Sequence, residues 1–303
     1  MREVVQRPVS LVSAHGASVL TNLIGRVQDT VTDHYPGSDA VALAVLVGGA
    51  MMVLGASVWR CLPGVHRRGP VAAGLIAVQG TGLAAAFVAL TYQVKAGGAV
   101  TGTDPAVLGW FSEHRSDWVT GPAIAVTDAG GPVGTVVLAV VLGAVLSRRA
   151  RSPIPAGILI GTVGAAALAS TVTKTVVGRA RPPIVSQVLL ETDHSFPSGH
   201  ATGAMALFVM AAVMFGYALP PARRALLLVL AAAVTVVVAA TRLYLGEHWL
   251  TDVLGGVVLG GLAAVIGGAL YTTWMDAPDR YATNPDDATA HPGRTNPAMG
   301  HAA

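Results

Sequence analysis

Charge is scarce in this chain, so each ionisable side chain carries information. Only 12% of the 303 residues are Asp, Glu, Lys or Arg, whereas 53% are hydrophobic. With a mean hydropathy of +0.61, that balance lies outside the range of soluble domains and points to an integral membrane protein. Cysteine is nearly absent. Cys61 stands alone, which excludes an intramolecular disulfide, and nothing near it has metal-ligand spacing; it reads as a small residue at a helix end. The N-terminus also lacks a basic start followed by an apolar core and a small-residue cleavage site, so a cleaved signal peptide is not expected. The net charge of +3 comes from basic residues scattered between apolar runs. It therefore reads as a set of topology signals and argues against nucleic acid as a partner.

Long apolar runs are what the chain does have. They fall at about 40–59, 70–94, 123–147, 154–173, 201–219, 224–241 and 253–274, each close to the roughly 20 residues a helix needs to cross the hydrocarbon layer. Backbone groups find no water there, so helices are expected throughout. The fold class is all-α, a polytopic transmembrane bundle with a six-helix core and an extra N-terminal span. Residues 1–69 form the N-terminal addition, including an amphipathic helix over 1–39. Residues 70–275 are the membrane domain, and 276–303 a disordered polar tail. Gly256 and Gly260 have the spacing that permits close helix contact. Arg60, Arg67 and Arg68, then Arg148, Arg149 and Arg151, then Arg223 and Arg224 occupy alternate short loops, which makes that side cytoplasmic. Segments 95–122, 174–200 and 242–252 then face outward. The first, with Trp110, Phe111, Trp118, Glu113, His114, Arg115 and Asp117, suits the headgroup layer.

Three charged motifs interrupt this apolar chain, all on the outward side. They are Lys174 with Arg179, Arg181 and Pro182; the run Phe196, Pro197, Ser198, Gly199 and His200; and Thr241 and Arg242 followed by His248 and Asp252. Ionisable residues at the ends of spans usually mark function. Lys174, Arg181 and Arg242 together offer an ammonium and two guanidinium forks, which match a compact dianion such as phosphate. Ser198 and Gly199 open a helix, where unpaired backbone N–H groups also favour an anion. His248 and Asp252 are four residues apart. If the last span begins near Glu247 they share the face of its first turn, where the carboxylate accepts a bond from the imidazole and fixes its tautomer. His248 is then a nucleophile and His200 a general acid for the leaving oxygen.

The pattern Lys, six residues, Arg-Pro; Pro-Ser-Gly-His; and Arg, five residues, His, three residues, Asp resembles the signature of the type-2 phosphatidic acid phosphatase superfamily over residues 174–252. Thr241 departs from it, standing where the family usually has Ser, and Arg179 lies outside its fixed positions as a flanking cation. The resemblance implies a metal-independent phosphatase without a cofactor. The position matching His248 forms a phosphohistidine, Asp252 orients it, His200 protonates the departing group, and Lys174, Arg181, Ser198, Gly199 and Arg242 hold phosphate. The expected substrate is a lipid phosphate or diphosphate held in the bilayer of the plasma membrane with its headgroup outside. Undecaprenyl or another polyprenyl diphosphate is favoured, with phosphatidylglycerophosphate or phosphatidic acid as the alternative. Vanadate-dependent haloperoxidases share such a site but are soluble. An anion transporter would hold its charges near the midplane, and a lipid-binding protein without catalysis would not need both histidines.

Overall fold

In the computed structural model, residues 38–61 and 69–276 are described, and among them there is no strand. The chain runs through helices α1 (Ser38–Cys61), α2 (Pro70–Ala96), α3 (Asp104–Glu113), α4 (Asp117–Ala129), α5 (Pro132–Ala150), α6 (Ile154–Val177), α7 (Gly199–Gly216), α8 (Pro221–Tyr244) and α9 (Leu250–Met275), with short 3-10 turns at Ala99–Thr103 and Ile184–Ser186. Seven of these helices, α1, α2 and α5 to α9, are long and apolar enough to cross a membrane. Proline sits in the first turn of α2, α5 and α8, where its missing N–H would have no partner in any case. The expected amphipathic helix over 1–39 and the polar tail after residue 276 lie outside the described residues.

The expected span over 123–147 is two helices. Gly130, Gly131 and Pro132 break it, because proline cannot donate the next helical bond and the two glycines give the chain room to turn. Hydropathy does not register such a corner, since both sides of it are apolar. The segment expected as an outward loop over 95–122 is likewise mostly helical, in α3 and the start of α4.

Helices α7 and α9 form the centre. In the most apolar window of each, 56% and 50% of residues are buried, against 17% for α1. Their contact is a seam of small residues: a Cβ on Gly256 would lie 2.5 Å from the Ser198 carbonyl oxygen, and one on Gly260 would press into the Thr202 carbonyl. Such close backbone approach is how membrane helices gain packing without a hydrophobic driving force. Leu159 of α6, Leu207 and Met210 of α7 and Tyr271 of α9 fill the core on the side of α5 and α6. Phe196 is buried at one end of the bundle against Leu90 and Val94 of α2. The N-terminal α1 packs on α2, tied near the same end by a 2.8 Å bond from Gln93 Nε2 to Asp39 Oδ1.

Candidate active site

One end of the bundle gathers the charged motifs. Helix α6 ends on Gly178, which has φ 64 and donates its N–H to the Lys174 carbonyl at 2.9 Å. This left-handed cap leaves Lys174 in the last turn and turns the chain toward Arg179 and Arg181. Ser198 caps α7 and Trp249 caps α9, and the Ser198 N–H bonds the Asp252 carbonyl at 2.9 Å. The helix starts that carry His200 and Asp252 are thus joined directly.

His248 precedes α9 instead of lying in its first turn, because Trp249 takes the cap position. The pairing with Asp252 survives the correction: His248 Nδ1 lies 3.5 Å from Asp252 Oδ2, and Asp252 Oδ2 also accepts the Trp249 N–H at 2.9 Å and the Ser195 hydroxyl. On the other side of the ring, Arg181 Nη1 is 3.3 Å from His248 Nε2. This arrangement fits a proton on Nδ1 and a lone pair on Nε2. Burial brings the imidazole down to about 4, against the opposite pull of Asp252, so it is neutral near pH 7.

The cations converge as expected, but none is bare. Lys174 Nζ bonds Asp193 Oδ2 at 2.6 Å and the His194 carbonyl at 2.7 Å. Arg181 donates to the Asp193 and Glu247 carbonyls at 2.8 and 2.7 Å, and its Nη2 pairs with Asp193 Oδ1. Arg242 is buried, bonding Thr127 Oγ1 at 2.7 Å and Glu191 Oε1 at 2.9 Å, with its Nη2 also against Glu247. Burial alone would raise the Asp193 carboxyl, but Lys174 and Arg181 hold it at about 2. Burial pushes the Glu247 carboxyl up, with Arg242 pulling the other way.

Ser198 Oγ is buried with no hydrogen-bond partner among the described residues, and a Cβ on Gly199 would meet nothing within 4 Å. An orphaned hydroxyl beside open space at a helix N-terminus is a place where an anion fits. The half-buried His200 ring lies against the α4–α5 corner, its Nε2 3.0 Å from where a Gly131 Cβ would be, with Arg242 and His248 among its electrostatic neighbours. Thr241 turns its hydroxyl onto the Val238 carbonyl at 2.7 Å, so its contact is with its own helix.

Arg179 is more than a flanking cation. Its Nη1 donates to Asp252 Oδ1 at 2.6 Å and to Thr251 Oγ1 at 2.7 Å, and its Nη2 to Asp104 Oδ2 at 2.5 Å. Asp104, at the start of α3, also accepts the Thr251 N–H at 2.9 Å and the Thr251 hydroxyl at 2.6 Å. Sequence reasoning passed over Asp104, Ser195, Glu191, Asp193 and Glu247. Charge balance was the available signal, since four cations meeting beside a membrane need anions close by; Glu191, Asp193 and Glu247 lie within the motif stretch itself, and only Asp104 is distant in sequence.

Comparison with known proteins follows the same residues. Residues 155–276 match the PAP2 superfamily. The crystal structure of a transmembrane PAP2 type phosphatidylglycerolphosphate phosphatase from Bacillus subtilis is similar at a TM-score of 0.60 and 26% identity, over 64% of this chain and 96% of that one. No curated protein sequence matches the chain.

Proposed function

We infer that this chain, whose residues 155–276 match the PAP2 superfamily and whose fold resembles a transmembrane PAP2 type phosphatase, is a hydrolase of lipid phosphates that works through a phosphohistidine. His248 Nε2 attacks the terminal phosphorus and its P–O bond to the leaving group breaks, the leaving group being the lipid alcohol of a monoester or the lipid monophosphate of a diphosphate. His200 gives a proton to the departing oxygen. Lys174, Arg181, Arg242, the Ser198 hydroxyl and the Gly199 N–H bear the charge on the phosphoryl oxygens. Water then attacks the phosphohistidine, His200 takes its proton, and phosphate leaves with His248 restored. Asp252 holds Nδ1–H throughout, as the partner of an activated nucleophile must. The observation that carries this reading is the two-sided environment of His248, a carboxylate at Nδ1 and a guanidinium at Nε2.

The site lies where spans end, so a bound phosphate leaves its tail in the bilayer. The arginines of alternate loops, Arg148, Arg149, Arg151, Arg223 and Arg224, favour an extracytoplasmic site in the plasma membrane. That location suits a polyprenyl diphosphate such as undecaprenyl diphosphate. The similarity to the Bacillus subtilis phosphatidylglycerolphosphate phosphatase favours a second reading, phosphatidylglycerophosphate. Phosphate release by the detergent-purified chain from both lipids and phosphatidic acid, with chelator present and His248→Ala alongside, separates them. Release that vanishes on chelation or persists in the variant overturns the mechanism.

A further inference from the structure

The cations assigned to phosphate are already engaged by carboxylates from one short stretch of the 178–198 segment. Asp193 takes Lys174 through Oδ2 at 2.6 Å and Arg181 through Oδ1. Glu191 takes Arg242 through Oε1 at 2.9 Å, and its Oε2 is 3.8 Å from Arg181 Nη2. The two layers differ in depth. Asp193 and Glu191 side chains are 55% and 34% exposed, against 12%, 7% and 1% for Lys174, Arg181 and Arg242. The acids therefore form an outer layer, and the cations, with His248 beside Arg181, an inner one. Glu247 is different: it is fully buried against Arg242. A phosphoryl group within reach of His248 must use donors that the outer acids now hold.

We propose that Glu191 and Asp193 are resident counter-ions in the phosphate seat, and that a substrate enters by displacing both, so that the exchange selects which phosphate is accepted. This rests on the reading of His248 and its cations as a phosphate site. A carboxylate offers an O–C–O edge much as phosphate offers O–P–O, so the same guanidinium forks serve either. Two carboxylates carry two negative charges, as does a phosphomonoester dianion, so the exchange leaves the inner cations balanced. A phosphodiester brings one negative charge and leaves a cation uncompensated where burial makes that costly. Discrimination by a competing internal ligand is a form of specificity against the wrong partner. Here the partner excluded is the phosphodiester headgroup of ordinary bilayer lipids.

The test measures the Kd of inorganic phosphate by titration calorimetry on the detergent-purified full chain at fixed ionic strength and neutral pH. Wild type is compared with Glu191→Gln, Asp193→Asn and the double variant, with His248→Ala as a separate activity control. Alongside, phosphatidylglycerol, a phosphodiester, is titrated as an inhibitor of phosphatidic acid hydrolysis. The double variant is expected to bind phosphate about tenfold more tightly, and each single variant by a smaller factor; inhibition by phosphatidylglycerol should become stronger in the same order. Phosphate binding that is unchanged or weaker overturns the proposal and makes the acids props that orient the cations. Asp193→Asn alters an exposed side chain, so it alone decides the sign if the double variant fails to fold. The two readings fail separately: activity retained in His248→Ala sinks the phosphate site, whereas a dead His248→Ala with no gain in phosphate affinity sinks only the counter-ions.

Discussion

In the proposed mechanism each nitrogen of His248 has one task, and the substitutions around it separate those tasks. If His248 supplies the attacking lone pair, His248→Ala should lower kcat by on the order of a thousandfold or more, with the helical content by circular dichroism unchanged, since the residue precedes α9. Asp252→Asn keeps the shape but loses the charge facing Nδ1. A rate loss of roughly a hundredfold or more, read as kcat, is expected. The acid limb of activity follows from the imidazole held at about 4. As pH falls through that value Nε2 gains a proton and can no longer attack. After correction for ionisation of the substrate and of the proton donor His200, kcat/KM should therefore stay level down to about pH 5 and fall below it; a limb near 6.5 would mean an exposed imidazole. At this scale the sequence was most legible: all eight residues named for the site stand at one end of the bundle. Arg179 was misread because its role depends on Asp104, and no spacing rule links a residue at the start of α3 to one that follows α6.

Helices α3 and α9 and the turn after α6 are bound into one unit by Asp104, Arg179 and Thr251. Asp104→Ala leaves Arg179 with one carboxylate in place of two and frees the start of α9. Its expected effect is a fall in kcat of roughly tenfold or more with a smaller change in KM, because Asp252 is loosened while Lys174, Arg181 and Arg242 are untouched. A KM rise without a kcat change would assign Asp104 to substrate binding instead. The α7–α9 seam is tested by Gly260→Val, which forces side-chain atoms into the Thr202 carbonyl and should lower Tm, at a cost of about 2–4 kcal/mol. Span positions were readable because the bilayer forces length and apolarity together. The α4–α5 corner and the start of α9 were not, since both depend on a local backbone choice inside apolar sequence.

For the molecule as a whole, the charged motifs occupy one end and most of the paired arginines the other. Cys61 is the single native cysteine, so its replacement by Ser gives a clean background for labelling. With Val185→Cys, at a side chain 95% exposed near the site, an impermeant thiol reagent should label intact cells. Ser152→Cys, in the α5–α6 turn, should be labelled only after the membrane is opened. The reverse pattern would place the site in the cytoplasm and remove the argument for an extracytoplasmic lipid. The glycine seam has a consequence of its own. The starts of α7 and α9, with Ser198, His200 and Asp252, are held together by the close backbone contacts at Gly256 and Gly260 and by the Ser198 N–H on the Asp252 carbonyl. A bulkier side chain at Gly256 or Gly260 is therefore expected to push His200 and Asp252 apart, so that it costs activity as well as stability.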